Sequence, residues 1–329
     1  MRYKDAIGMC TDDMWPDDLL EMGGMAGVLR LMVKNGVSPV DAVRFATLNN
    51  AQRLASAGIP EASLLGMLAP GMAADIALVA APLRKFKIDM VIHGGKVVAE
   101  NGKLVVPLPQ PRATEAAMNS VPVPPVSADT FRISVPAGHQ GSTARVRVLE
   151  LPKPPALPFP EMSEADIPVA DGRLDTRGYM LIAVFNRYGR LGDGPVIGLV
   201  RNYSLKRGAV ASTLSHDSHN LIVLGTNPAD MAAAANEVIR MKGGMAAADG
   251  GRLLASIALP VGGLMTTGSV ADAAPLAEKF RKAIGTLGLD PKSPIMPFAA
   301  FSLPAAPGAK VTDRGIWDGS KQTLVSLFV

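Results

Sequence analysis

One cysteine, four histidines and few aromatic residues set the first limits on this 329-residue chain. The lone Cys10 excludes an intrachain disulfide and a cysteine-rich metal cage, and it suits a reducing cytoplasm. No stretch approaches about 18 uninterrupted apolar residues, and the opening "MRYKDAIGMC" lacks the apolar run of a signal peptide. The expectation is a soluble cytoplasmic protein with no membrane partner. Aromatics make up 5% of the chain and hydrophobic residues 48%, so Ala, Val, Leu and Met must fill the core. The 17 methionines suit irregular packing and are no cofactor signal in themselves. Net charge is +4, but the basic runs at 83–87 and 145–148 are short. Nucleic-acid binding needs a clustered basic face, often with stacking aromatics, so no nucleic-acid partner is expected. No "GxSxG" occurs, which argues against a serine hydrolase built on a nucleophile elbow.

What is present divides into regions by pattern. "DAIGMC" (5–10) reads as a short strand ending at "TDDMWPDD". A helical stretch follows from Pro16 to Asn35, softened by Gly23, Gly24 and Gly27, and a second spans 38–55 with Ser38 as N-cap and Pro39 at the first helical position. Residues 58–112 alternate short apolar runs with Gly-Gly and Asn-Gly, the dipeptides of tight hairpins. Residues 113–128 are rich in proline and read as a stiff linker. The remainder, 129–329, is mixed α and β. Strands are expected at 131–135, 143–149, 180–186, 196–200, 209–214 and 220–224, with helices at 227–241 and about 270–285. A hairpin is expected over 244–259, turning at 249–251, and no internal repeat is visible.

Two clusters carry chemistry. Thr11, Asp12 and Asp13 follow the first apolar run. A carboxylate at a strand end can bind a metal and accept a proton from its water, or it can simply cap the next helix. "SHDSHN" (215–220) holds two of the four histidines, His216 and His219, around Asp217 and Ser218. Four roles fit it. Asp217 and Ser218 can form a turn with Asn220 bonding to backbone amides. Asp217 can orient an imidazole, the two imidazoles can share a metal ion, or the loop can approach a metal or substrate held elsewhere. His93 and His139 read as surface or turn residues.

"LGMLAPGMAADIALV" (65–79) with "DMVIHGGKVVAENGKLV" (89–105) resembles the closing strands of metal-dependent amidohydrolases. "GLVRNYSLKRGAVASTLSHDSHNLIVLGTNPADM" (198–231), "LPVGGLMT" (259–266) and "FSLPAAPGAKVTDRG" (301–315) resemble the C-terminal domain of the adenine deaminase family. The resemblance covers nearly the whole chain. It implies an α/β and α+β fold: the last strand and helices of a β/α barrel (1–57), the second half of a small β-sandwich (58–112), and the family's C-terminal domain (129–329). It implies conversion of adenine, or a related purine, with water to hypoxanthine and ammonia in purine salvage. A divalent metal is implied, Mn or Fe, with Zn as an alternative. Asp12 becomes the metal ligand and proton carrier, and Asp13 orients its loop. His216, Asp217, His219 and Asn220 become substrate-binding residues or residues behind the metal ligands. The sequence departs from the pattern in having no "HxH" pair and too few histidines for the ligand set. The chain is therefore expected to be inactive by itself, as a piece of a deaminase or a subunit of a split one. It would then work as a homo-oligomer or with a partner chain that supplies the missing barrel. The alternative is a non-catalytic binding or assembly module.

Overall fold

The computed structural model describes residues 3–107, 112–152, 159–190, 192 and 194–329. The chain separates into two units, Met1–Arg112 and Ala113–Val329, each described here by itself. Both mix helices with antiparallel sheet.

In the smaller unit, glycine and threonine divide the expected helices. Gly23 takes a left-handed conformation (φ 78°) and separates α1 (Pro16–Met22) from α2 (Gly24–Lys34). Ser38 caps α3 (Pro39–Ala46) by accepting from the Asp41 amide, and a break at Thr47 starts α4 (Leu48–Ser56). Leu29, Ala42 and Phe86 form the buried centre of these helices, with Met25, Met32 and Val43 packed around them. A four-stranded meander follows: β1 (Ile76–Val79), β2 (Ile88–His93), β3 (Lys96–Glu100) and β4 (Lys103–Leu104). Its turns fall at Gly94–Gly95 and Asn101–Gly102, all at positive φ, as the hairpin dipeptides require.

The expected strand at 5–10 is absent. Residues 4–6 make a 3-10 turn, and 7–10 belong to no strand. A strand needs a neighbouring backbone, and here the Asn50 side chain takes that place, as described below.

The larger unit is built on a nine-stranded sheet. Its strands are β5 (Thr143–Glu150), β6 (Glu161–Ala170), β7 (Arg173–Leu174), β8 (Met180–Phe185), β9 (Val196–Arg201), β10 (Ala209–Ser212), β11 (Leu221–Gly225), β12 (Gly244–Asp249) and β13 (Arg252–Ala258). They run in the order β13-β12-β10-β11-β8-β9-β5-β6-β7. Every pairing is antiparallel except β5 with β9. Strands β8, β10 and β11 are buried along their whole length, which explains their unbroken apolar runs. After the one-turn helix α5 (Glu115–Met118), helix α6 (Pro228–Arg240), capped by Asn227, packs against β10, β11 and β12, while α7 (Val270–Thr286) packs against β13. The closing residues join the sheet as well: the Arg147 amide donates to Leu327 O and the Val329 amide to Arg145 O.

Several expectations need correction. Residues 131–135 form no strand; a 3-10 turn covers Ala128–Phe131, and Ser134 makes a single bridge to Arg173. Strand β6 lies over a stretch whose acidic residues and Pro168 disguised it, as suits a strand near a sheet edge. Helix α8 (Met296–Ser302) and the small sheet of β14 (Lys310–Thr312), β15 (Gly315–Asp318) and β16 (Thr323–Val325) were also missed. Finally, the Pro-rich segment is no free linker. Val121 and Val123 are buried in the core of the larger unit, and Val126 exchanges two hydrogen bonds with Asn236 on α6. Residues 108–111, at its approach, lie outside the described residues.

Lys310 on β14 is fully buried, donating to Pro307 O under the Phe159 ring. Burial pulls its ammonium down to about 8. A lysine whose folded value is depressed opposes folding while charged, so its penalty is full below pH 8 and disappears as pH climbs toward the unfolded value near about 10.4. Lys310→Met should therefore raise stability near neutral pH by up to about 3 kcal/mol. Chemical denaturation from pH 7 to 10 should show the gap between variant and parent closing as pH rises.

Candidate functional site

The "SHDSHN" loop joins two neighbouring central strands, β10 and β11. Its entry is fixed by short polar side chains. The Ser212 hydroxyl accepts from the Leu214 amide at 2.9 Å. The buried Thr213 hydroxyl donates to Gly263 O at 2.6 Å and accepts from the Gly244 amide at 2.8 Å. Ser215 is buried too, 3.2 Å from the Ser302 hydroxyl on α8. The His219 amide closes the loop onto Ser215 O at 2.7 Å, with a turn over 216–218 between them.

This is a loop and not a helix. His216 and His219 still approach each other, edge to face, with 5.7 Å between ring centroids. Both are half-buried, whereas Asp217 and Ser218 are exposed. Asn220 is buried, and its side-chain oxygen accepts from the Arg187 amide at 3.2 Å. That satisfies a buried backbone donor, which would be costly to leave unpaired.

Sequence reading missed the residues beneath the loop. Arg187 and Tyr188 follow β8 in "NRYG" (186–189). The Tyr188 hydroxyl donates to Ser218 O at 3.0 Å and accepts from Arg187 Nη2 at 3.0 Å. Arg187 Nη1 donates to Gly262 O at 2.7 Å. The available signal was a run of polar residues at the end of a buried apolar strand, paired with the Gly-Gly of "LPVGG".

Asp12 and Asp13 lie in the smaller unit, both exposed. Asp12 sits at φ 49°, and its carbonyl accepts from the Met14 amide at 2.7 Å. Neither aspartate caps α1, because Trp15 occupies the N-cap position. The approach to Asp12 is held from α4. Asn50 accepts from the Met9 amide at 3.0 Å and donates to Met9 O at 2.7 Å, while Asn49 donates to Lys4 O and Ile7 O at 2.7 Å each. One side-chain amide thus makes the two hydrogen bonds that a neighbouring strand would make. A Cβ on Gly8 would fall 2.6 Å from Asn50 Oδ1, so the glycine admits this contact.

Among the described residues, no group of three or more His, Cys, Asp or Glu side chains comes together as a metal-ligand set. Asp12 offers one carboxylate, fewer than the three or more protein ligands usual for a transition-metal ion. His93 is exposed on the meander and bonded to Asp75 at 2.9 Å. The Gly94 amide, followed by His93, holds the Asp75 carboxyl below the usual carboxylate range. His139 is exposed and contacts Thr143 O. A cavity of about 580 Å³ lies elsewhere, beside Arg132, Arg173 and Arg177. All three arginines are already paired, Arg132 and Arg173 with Asp129 and Arg177 with Asp175, and the "SHDSHN" residues do not line it.

The amidohydrolase family model matches residues 2–98, which places the smaller unit in that class. The model of the adenine deaminase C-terminal domain matches residues 159–323, half of the chain, and the chain belongs to the adenine deaminase family. Adenine deaminase 2 of Rhizobium johnstonii is 40% identical over 95% of this chain and 50% of its own length. Adenine deaminase 1 of Carboxydothermus hydrogenoformans is 38% identical over 94% and 50%, and adenine deaminase of Klebsiella pneumoniae 37% over 97% and 51%. The chain spans about half the length of the curated relatives it matches. No helix among the described residues is long and apolar enough to cross a membrane.

Asn50→Ala removes both bonds to the Met9 peptide. It should lower the stability of the smaller unit by about 1–3 kcal/mol, and hydrogen exchange should show the Met9 amide losing its protection.

Proposed function

We propose that this chain forms part of an adenine aminohydrolase, which converts adenine and water to hypoxanthine and ammonia. The observation that carries the reading is the family match in both units, one to the amidohydrolase class and the other to the adenine deaminase C-terminal domain. In this reading residues 1–57 close a β/α barrel, the meander is part of a β-sandwich, and Asp12 is the chain's catalytic carboxylate. Its role would be to take a proton from the attacking water and deliver it to the departing amine, which leaves poorly unless protonated. Asp13 would orient the same loop.

Among the described residues the donors do not assemble a metal site. The remaining ligands of the Mn, Fe or Zn that the class implies would come from polypeptide beyond this sequence, in the same chain or in a partner. Exposed apolar residues of the smaller unit support a covering surface: Val40 and Leu68 are 69% and 75% accessible. In the same reading His216, Asp217, His219 and Asn220 would contact the base or the residues behind the metal ligands. A cytoplasmic setting fits the single, exposed Cys10. A non-catalytic assembly module has no such use for Asp12, which makes the two readings separable.

The test is ammonia release from adenine after co-expression with a polypeptide carrying the "HxH" half of a relative. Turnover should appear with stoichiometric metal, and Asp12→Asn should lower it by about 10²–10⁴-fold. A folded, metal-loaded assembly that releases no ammonia would favour the assembly module. In the same assembly, His216→Ala and His219→Ala should each reduce turnover; unchanged rates and metal content would retire the loop's part in the site.

A further inference from the structure

Arg187 is a charged side chain buried to 3% accessibility, and among the described residues no carboxylate forms an ion pair with it. Buried charges are usually paired, because desolvating an ion is costly. Among the described residues the groups that the guanidinium meets are neutral. Nη1 donates to Gly262 O at 2.7 Å and reaches the Ser120 hydroxyl at 3.4 Å, and Nη2 donates to the Tyr188 hydroxyl at 3.0 Å. Its carbon stands 4.8 Å from the centroid of the Tyr188 ring, whose π face favours a cation. Nε is buried with no acceptor.

These partners come from separate parts of the sequence. Ser120 belongs to the Pro-rich segment, Gly262 to the "LPVGG" turn, and Tyr188 reaches Ser218 O in the middle of the "SHDSHN" turn. The backbone amide of Arg187 is held by Asn220, at the loop's other end. A Cβ on Gly263 would fall 2.0 Å from Nη1, so the turn takes glycine there to let the guanidinium through. A planar fork with several fixed donors can bridge such segments, whereas a single ammonium cannot.

We propose that Arg187 is the positioning residue of the 215–220 loop: it holds His216 and His219 in one arrangement through Tyr188 and Asn220. An unpaired buried cation gives poor stability for its place in the core. What it supplies instead is a simultaneous tie between the turn at 262, the segment at 120 and the histidine loop. Its bearing on deamination rests on the function proposed above. The order of the loop does not, so the two can fail separately.

Hydrogen exchange on the 329-residue chain tests this directly. In Arg187→Met, which fills similar space without charge, the His219 amide should exchange at least tenfold faster, while amides of β8, β10 and β11 keep their protection. Tyr188→Phe leaves the guanidinium in place and removes only the hydroxyl, and it should loosen the same amide. Arg187→Lys keeps the charge without the fork and should leave the loop as loose as Arg187→Met does. Equal acceleration of strand and loop amides would make Arg187 a general stability residue and overturn the proposal. So would an unchanged His219 amide in Arg187→Met, or full rescue by Arg187→Lys.

Discussion

The close approach of helix α6 to the central strands is the contact on which the rest of the larger unit depends. Aromatics are scarce, so the core cannot be filled by a few large rings and must be closed by bringing backbones together. Gly225, the last residue of β11, makes this possible: a Cβ there would sit 2.3 Å from Met231 Cγ on the helix. Ala234 and Ala235 face a sheet that presents Ala211, Ala246 and Ala248, all fully buried. Small side chains contribute little area each, and their stabilisation comes from many short dispersion contacts at high packing density. Because only Thr226 and Asn227 separate β11 from α6, seating the helix also fixes the register of β10 and β11. The ends of the histidine loop are thereby set by apolar packing before any polar contact within the loop is considered.

Polar contacts then decide the loop's course, and they are mostly neutral. Thr213 bonds to the glycines at 244 and 263, Ser215 to Ser302 on α8, Asn220 to the amide of Arg187 after β8, and the Tyr188 hydroxyl to Ser218 O within the loop. Ion pairs such as Arg145 with Glu164 and Lys282 with Glu278 lie on exposed side chains, where solvent screens them. Buried hydroxyls and amides hold direction better than exposed charges do, since each has few alternative partners once water is excluded. A loop held in this way carries its two imidazoles on a rigid base.

Periodicity and turn chemistry made much of this architecture legible. Asn227–Pro228 and Ser38–Pro39 announced their helices, and Gly-Gly and Asn-Gly announced the hairpins of the meander, because each dipeptide meets a backbone requirement that few others meet. What escaped was set by tertiary contact. Strand β6 carries Glu161, Glu164 and Asp166 and so lacks an apolar signal, yet β5 offers it a complete ladder. The Pro-rich segment looked like a spacer because proline composition says nothing of where Val121 and Val123 point. At the site, the histidine loop was visible as a cluster, but Arg187 was not. A lone arginine between an apolar strand and a glycine ordinarily reads as a solvated turn, and only the folded chain shows it buried.

The smaller unit shows the converse case, where a strong local pattern yields to the lack of a neighbour. "DAIGMC" has the composition of a strand, but a strand is a relationship between backbones. The described structure gives this segment a side chain instead. Asn50 satisfies one peptide group, that of Met9, and Asn49 satisfies the carbonyls of Lys4 and Ile7. Those bonds hold the run leading to Asp12 at several points without making it part of a sheet. Such an arrangement fixes position along the segment by side-chain amides on α4 in place of a strand ladder.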